Sequence, residues 1–190
     1  MNKFFLLTFL LFILSCKTET PEALLNKPVP EFSGITLTNK KVDHKYFFGK
    51  VTVLNFINFY CQSSVAEIGL LNGFQKKYNL NSFQILSIAE HSRDQLMEYG
   101  RKKIYNLSYQ NKNYRVDSIL FELMPACAVY DSAECKRISN LFNITGTPAT
   151  FIINKSGEIT MFLDGFPRPK DSLQIRTMKA KIEAEIEKLL

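Results

Sequence analysis

The sequence predicts an α/β domain: a central, mainly parallel sheet with helices on both faces, followed by a C-terminal hairpin and helix. Three observations predict it. Residues 51–59 and 83–89 are near-continuous apolar, β-branched runs, the pattern of strands buried on both faces. After the first run, apolar residues recur at helical spacing, and a second helix is read after the other. Finally, Lys155, Ser156 and Gly157 join two further apolar runs in the manner of a hairpin turn. Strands that alternate with helices imply a mainly parallel sheet covered on both sides.

The N-terminus is a separate matter. One lysine is followed by an apolar run from Phe4 to Leu14, too short to span a bilayer comfortably but suited to the core of a signal peptide. The run stops at Ser15 and Cys16. Ile13-Leu14-Ser15-Cys16 resembles the lipobox of bacterial lipoproteins, in which the cysteine is lipidated and becomes the first mature residue; Leu14 is bulky for its place. An ordinary cleaved signal and an uncleaved anchor are the alternatives. The expected division is a signal peptide at 1–15, a lipidated Cys16 and polar tether at 16–27, and one folded domain at 28–190. A chain of 190 residues suits one domain.

Within the domain, Val29-Pro30-Glu31-Phe32 opens the fold. Residues 35–42 alternate around Asn39-Lys40-Lys41 and predict a small hairpin. Phe47 to Lys50 is a turn. The strand at 51–59 leads into a helix on which Ile68, Leu71, Phe74 and Tyr78 share a face. Residues 79–82 break that helix, and 83–89 is the second buried strand. Residues 92–105 read as a helix with Ser92 as its cap. Residues 106–124 carry no clear pattern. A short strand is expected at 126–130, and a helix at 132–142 capped by Asp131 or Ser132. Strands follow at 149–154 and 158–163. Ile175, Met178, Ile182, Ile186 and Leu189 give one apolar face to a last helix.

Charge excludes little but points away from one class. Lys plus Arg number 24 against 18 Asp plus Glu, a net charge of +6 spread along the chain. No basic cluster is interleaved with aromatics, so nucleic acid is not an expected partner.

Three features then line up. A buried strand runs into Cys61; Cys61 opens a helix; and Gly146-Thr147-Pro148 precedes an apolar strand and hairpin. This resembles the thioredoxin-like superfamily, and within it the extracytoplasmic redoxins related to cytochrome-maturation thiol oxidoreductases, over residues 28–190. The resemblance implies a cis peptide at Thr147-Pro148 lying against a reactive Cys61. It implies a substrate groove formed by Tyr60, Gln62, Thr147 and Pro148, and protein thiols or disulfides of the cell envelope as partners. The chain also departs from the pattern. Tyr60 replaces the usual Trp, Gln62 stands where Pro is common, and Ser64 occupies the position of the second cysteine.

The chemistry expected at the site follows from that lone sulfur. A helix N-terminus offers unpaired amides and partial positive charge, which favour a thiolate at Cys61. Ser64 cannot resolve a mixed disulfide, because a hydroxyl is far from ionised at neutral pH; it can donate a hydrogen bond to the thiolate, or simply lie exposed in the first turn. Cys61 therefore has three routes. It can exchange with substrate disulfides in isomerase fashion, be oxidised to a sulfenic acid as a one-cysteine peroxidase, or be resolved by Cys127 or Cys135. The peroxidase route is disfavoured, since Asn58 stands where Thr or Ser is typical. A binding module that retains the fold without catalysis is the rival reading.

Cys127 and Cys135 are eight residues apart across a predicted strand-to-helix turn. They are candidates for a local disulfide, while Cys127 pointing into the core and pairing of either with Cys61 stay open. Glu67 is a candidate for proton transfer, a position where the related oxidoreductases often have Glu; a solvated helix residue is the plainer expectation. His91 is expected as a surface-loop residue, with a base or ligand role as the alternative. His44 and Arg168 have no expected role beyond loop and turn. No cofactor or metal site is expected: one His near one Cys does not hold a metal, and copper-handling relatives of this fold use two cysteines. The expected location is the cell envelope, lipid-anchored and facing the periplasm.

Overall fold

The computed structural model describes residues 19–190, except 102–104, 110–111, 117–118, 130–131 and 169. The signal segment 1–15, Cys16, the start of the tether and the candidate cap Asp131 lie outside the described residues. Among the described residues, no helix is long and apolar enough to cross a membrane.

A small antiparallel pair, β1 (Gly34–Ile35) and β2 (Lys41–Val42), forms the expected first hairpin. The central sheet contains β3 (Val51–Ile57), β4 (Phe83–Ser92), β7 (Glu122–Cys127), β8 (Ala149–Ile153) and β9 (Ile159–Asp164) in the order β7-β4-β3-β8-β9. β3, β4 and β7 run parallel; β8 and β9 are antiparallel additions. Every residue of β3 is buried, as its apolar sequence requires.

Strand parity divides the core into two layers. Val51, Val53, Phe83, Ile85 and Ile152 face α1 (Gln62–Lys77) and α5 (Ser172–Leu189), which contribute Leu71, Phe74, Ile182 and Ile186. Leu54, Phe56, Leu86, Ile88 and Phe151 face the opposite layer, where Phe32, Phe47, Ile138 and Phe142 pack. α2 (Arg93–Arg101) follows β4 directly. Ser92 caps it reciprocally: the Gln95 amide donates to Ser92 Oγ at 3.4 Å, and the Ser92 amide donates to Gln95 Oε1 at 3.0 Å.

Four elements differ from expectation by three residues or more, or in number. β4 extends three residues past Ala89: after a register shift that skips Glu90 and His91, Ser92 pairs with Cys127. Tyr105, expected as the last residue of a helix, instead opens β5 (Tyr105–Tyr109), which pairs antiparallel with β6 (Lys112–Val116) in the stretch without a clear pattern. The strand expected at 126–130 is β7, shifted toward the N-terminus. Pro125 hides it in the sequence, yet β7 is an edge strand, where a missing N–H is tolerated. The helix expected at 132–142 is two short pieces, α3 (Ser132–Cys135) and α4 (Arg137–Leu141).

Candidate functional site

β3 delivers the chain to the carboxyl edge of the sheet, where open α/β sheets gather their ligands. Four successive backbone amides then fix the turn. The Asn58 amide donates to Ser64 Oγ at 3.3 Å, and the Phe59 amide to His91 Nε2 at 3.0 Å. The Tyr60 amide donates to Asn58 Oδ1 at 2.9 Å, and the Cys61 amide to the Asn58 carbonyl at 2.9 Å. Cys61 is left as the extended N-cap of α1, with φ −93° and ψ 115°.

The Cys61 thiol donates to the carbonyl oxygen of Thr147 at 3.2 Å. The Thr147-Pro148 peptide that follows is cis, as the resemblance implied. Cys61 is half-buried and is the one free cysteine among the described residues. Pro148 is buried, and its carbonyl accepts the Gly165 amide at the end of β9. Tyr60, the residue before Cys61, is 68% exposed. Gln62 is exposed on the first turn of α1. The structure thus brings Tyr60, Cys61, Gln62, Thr147 and Pro148 to one place.

Ser64 differs from the plain expectation. It is fully buried, and its hydroxyl receives the Asn58 amide instead of facing solvent. The cause is its place on the apolar stripe of α1, four residues before Ile68 and seven before Leu71.

Glu67 is not a solvated helix residue. It is 1% exposed and lies on the sheet face of α1. Asn55 Nδ2 donates to Glu67 Oε2 at 2.8 Å, and Thr150 Oγ1 donates to Glu67 Oε1 at 2.9 Å. Asn55 also donates to Thr150 Oγ1 at 2.9 Å and accepts from Ser87 Oγ at 3.0 Å. Asn55, Ser87 and Thr150 lie in register across β3, β4 and β8. Burial raises the Glu67 pKa from 4.5 to about 7 against the pull of the Thr150 and Asn55 hydrogen bonds.

His91 is likewise not a surface-loop residue. It is fully buried at the end of β4, and its ring meets those of Phe59 and Tyr60 at centroid distances of 5.5 and 5.1 Å. Neither its contact with the turn nor the polar row beneath Glu67 was anticipated from the sequence. A signal for the row was available: Asn55, Ser87 and Thr150 are polar residues inside apolar strands.

Cys127, at the end of β7, and Cys135, at the end of α3, form a disulfide with Cα atoms 4.6 Å apart. Both are buried. Neither is therefore a standing resolving thiol for Cys61.

No family model and no curated protein matches the sequence. Solved structures do. A candidate DsbE thiol:disulfide interchange protein from Chlorobium tepidum superposes with a TM-score of 0.62 at 19% identity, over 85% of this chain and 97% of that one. A thioredoxin-family thiol:disulfide interchange protein from Chlorobium tepidum TLS gives 0.54 at 24% identity, over 80% and 94%. A thiol-disulfide oxidoreductase from Bacteroides fragilis gives 0.55 at 15% identity, over 80% and 99%. The fold is thioredoxin-like.

Proposed function

We propose that the protein is a thiol–disulfide exchange protein of the cell envelope that works through the single thiol of Cys61. One observation carries the reading: a free sulfur caps α1 and touches the carbonyl that precedes a cis proline, at 3.2 Å from Thr147 O. The names carried by the similar structures agree with it.

The chemistry follows from the cap. Cys61 occupies the N-cap of α1, the end of the helix that carries the positive pole of its dipole. Once ionised, the sulfur no longer donates to Thr147 O, and that carbonyl becomes available to a substrate backbone N–H. An extended substrate segment would then dock by strand-like pairing beside Tyr60 and Pro148. The Cys61 thiolate attacks one sulfur of a substrate disulfide and the other leaves as a thiolate. When a second substrate thiolate attacks the mixed disulfide, Cys61 is released and a new substrate disulfide is left. Electrons balance within the substrate, so this is isomerisation and needs no outside reductant. Ser64 holds the turn and takes no electrons. Glu67 lies six residues along α1 from Cys61, about 9 Å of helix rise, with its carboxylate held by Asn55 and Thr150.

The Phe4–Leu14 run and Ser15-Cys16 support lipidation at Cys16 and a periplasm-facing location. Labelled-palmitate incorporation that Cys16→Ala abolishes is the expected result.

The main experiment traps partners. Cells expressing the chain are quenched with acid, alkylated and resolved without reductant. Cys61-dependent adducts that Cys61→Ser removes are expected. No adduct in excess of that variant would overturn the exchange reading and leave the binding module.

A further inference from the structure

Beyond the exchange reading, but resting on its choice of Cys61 as the reactive thiol, we propose that His91 is a positioning residue for Cys61: it holds the Tyr60–Cys61 turn in its neutral form and releases that turn when protonated.

The geometry is specific. His91 Nε2 accepts the Phe59 amide at 3.0 Å, so this nitrogen bears no proton and the neutral ring carries its proton on Nδ1. The Tyr60 ring stands against the same imidazole at 5.1 Å with planes 65° apart. One buried side chain therefore fixes the backbone of Phe59 and supports the ring of Tyr60, the two residues that lead into Cys61. Protonation at Nε2 turns the acceptor into a donor facing the Phe59 N–H. Two donors then meet in a buried place, and the turn must move.

The surroundings set the direction. Burial lowers the His91 pKa, while the Gln95 side chain on α2 favours the charged ring. Charged neighbours along the chain are turned to other tasks. On β4, Glu90 accepts from Asn58 Nδ2 and Ser139 Oγ. On α2, Arg93 donates to the Thr36 and Leu37 carbonyls and to Asn39 Oδ1, and Asp94 is exposed. On the turn, the titratable groups are the Tyr60 phenol and the Cys61 thiol. The ring is thus neutral and holding at neutral pH, and the turn loosens on acidification.

The test measures the thiol itself, so it stands apart from whether Cys61 exchanges with protein disulfides. The full chain is reacted with iodoacetamide from about pH 5 to about pH 9, and modification of the Cys61 peptide is followed by mass spectrometry. His91→Gln keeps an acceptor that does not titrate. The wild-type rate is expected to fall on the acid side by about tenfold more than that of His91→Gln. In the wild-type protein, the Phe59 amide resonance should move with pH in step with the His91 ring resonances. Superimposable pH profiles, or a Phe59 amide that ignores the His91 titration, would overturn the proposal. The resonance measurement needs no variant, so it decides the matter even if His91→Gln fails to fold.

Discussion

The side-chain amide of Asn55 donates to the Glu67 carboxylate at 2.8 Å, with both residues shut off from solvent. The relationship joins the middle of β3 to the second turn of α1, beneath the surface that carries Cys61. A carboxylate in such a place loses the hydration that stabilises its charge, and hydrogen bonds recover part of the loss. The balance leaves Glu67 titrating near neutral pH instead of near 4.5.

Stability should therefore depend on pH through Glu67. Its folded pKa lies above its unfolded value, so the folded state binds the extra proton between about 4.5 and about 7. The contribution of Glu67 to stability is full below that window and falls as pH rises through it, by at most roughly 3 kcal/mol. Glu67→Gln mimics the protonated side chain. Urea unfolding at several pH values should show this fall in the wild type and a flatter profile in the variant. A wild-type profile with no decline through that window would remove Glu67 as a buried, neutral-range acid.

Asn55→Ala should cost about 2–3 kcal/mol, because it strips Glu67 and Thr150 of a donor and Ser87 of its acceptor in a closed interior. It also removes a hydrogen bond that favours the Glu67 anion. The pH-dependent fall in stability should then shift to higher pH. Denaturant melts of this variant beside the wild type check both statements, and an unshifted window would mean that Asn55 does not support the carboxylate.

Much of this site could be read from residue order alone, and the limits were physical. An unbroken apolar run followed by Cys61, and Gly146-Thr147-Pro148 before another run, carry local chemistry that needs no distant partner to be seen. Ser64 and Glu67 needed one more step. Both sit on the stripe of α1 that carries Ile68, Leu71 and Phe74, and a polar residue on such a stripe is buried with it. Their polarity alone suggested solvent. His91 was hidden differently. Glu90-His91-Ser92 looks like the end of a strand, and the contacts that enclose His91 come from the distant Phe59–Tyr60 turn. β7 starts before the expected strand and runs through Pro125, which only its edge position tolerates. The pairing of Cys127 with Cys135 was among the open options, and the strand-to-helix turn brings them together.

That disulfide closes a short loop of sequence separation 8, so its expected contribution through the unfolded chain is about 2.5 kcal/mol. Cys127→Ala/Cys135→Ala should lower the melting temperature by roughly 5–10 °C. Cys61-dependent adducts should persist in this double variant, since Cys61 does not draw on either sulfur. Loss of those adducts while the protein stays folded would show that the pair takes part in exchange after all. Calorimetry and non-reducing electrophoresis on the same preparations separate the two outcomes.

The sharpest test of single-thiol chemistry is Ser64→Cys. The position lies one helical turn after Cys61, already buried and directed at the turn that holds it. A sulfur there accepts the Asn58 amide less well, which should cost about 1 kcal/mol. It also places a second thiol within the same short segment, where its effective concentration far exceeds that of any free thiol. Adducts at Cys61 should then shorten in lifetime by on the order of a hundredfold, because the new thiol expels the substrate and leaves an internal disulfide. That step is a net oxidation of the variant by the substrate, so the protein would change from exchanging bonds to exchanging electron pairs. Intact mass should fall by the two hydrogens lost when the pair forms. Adducts that stay as long-lived as in the wild type would mean that the lone sulfur is not what keeps them.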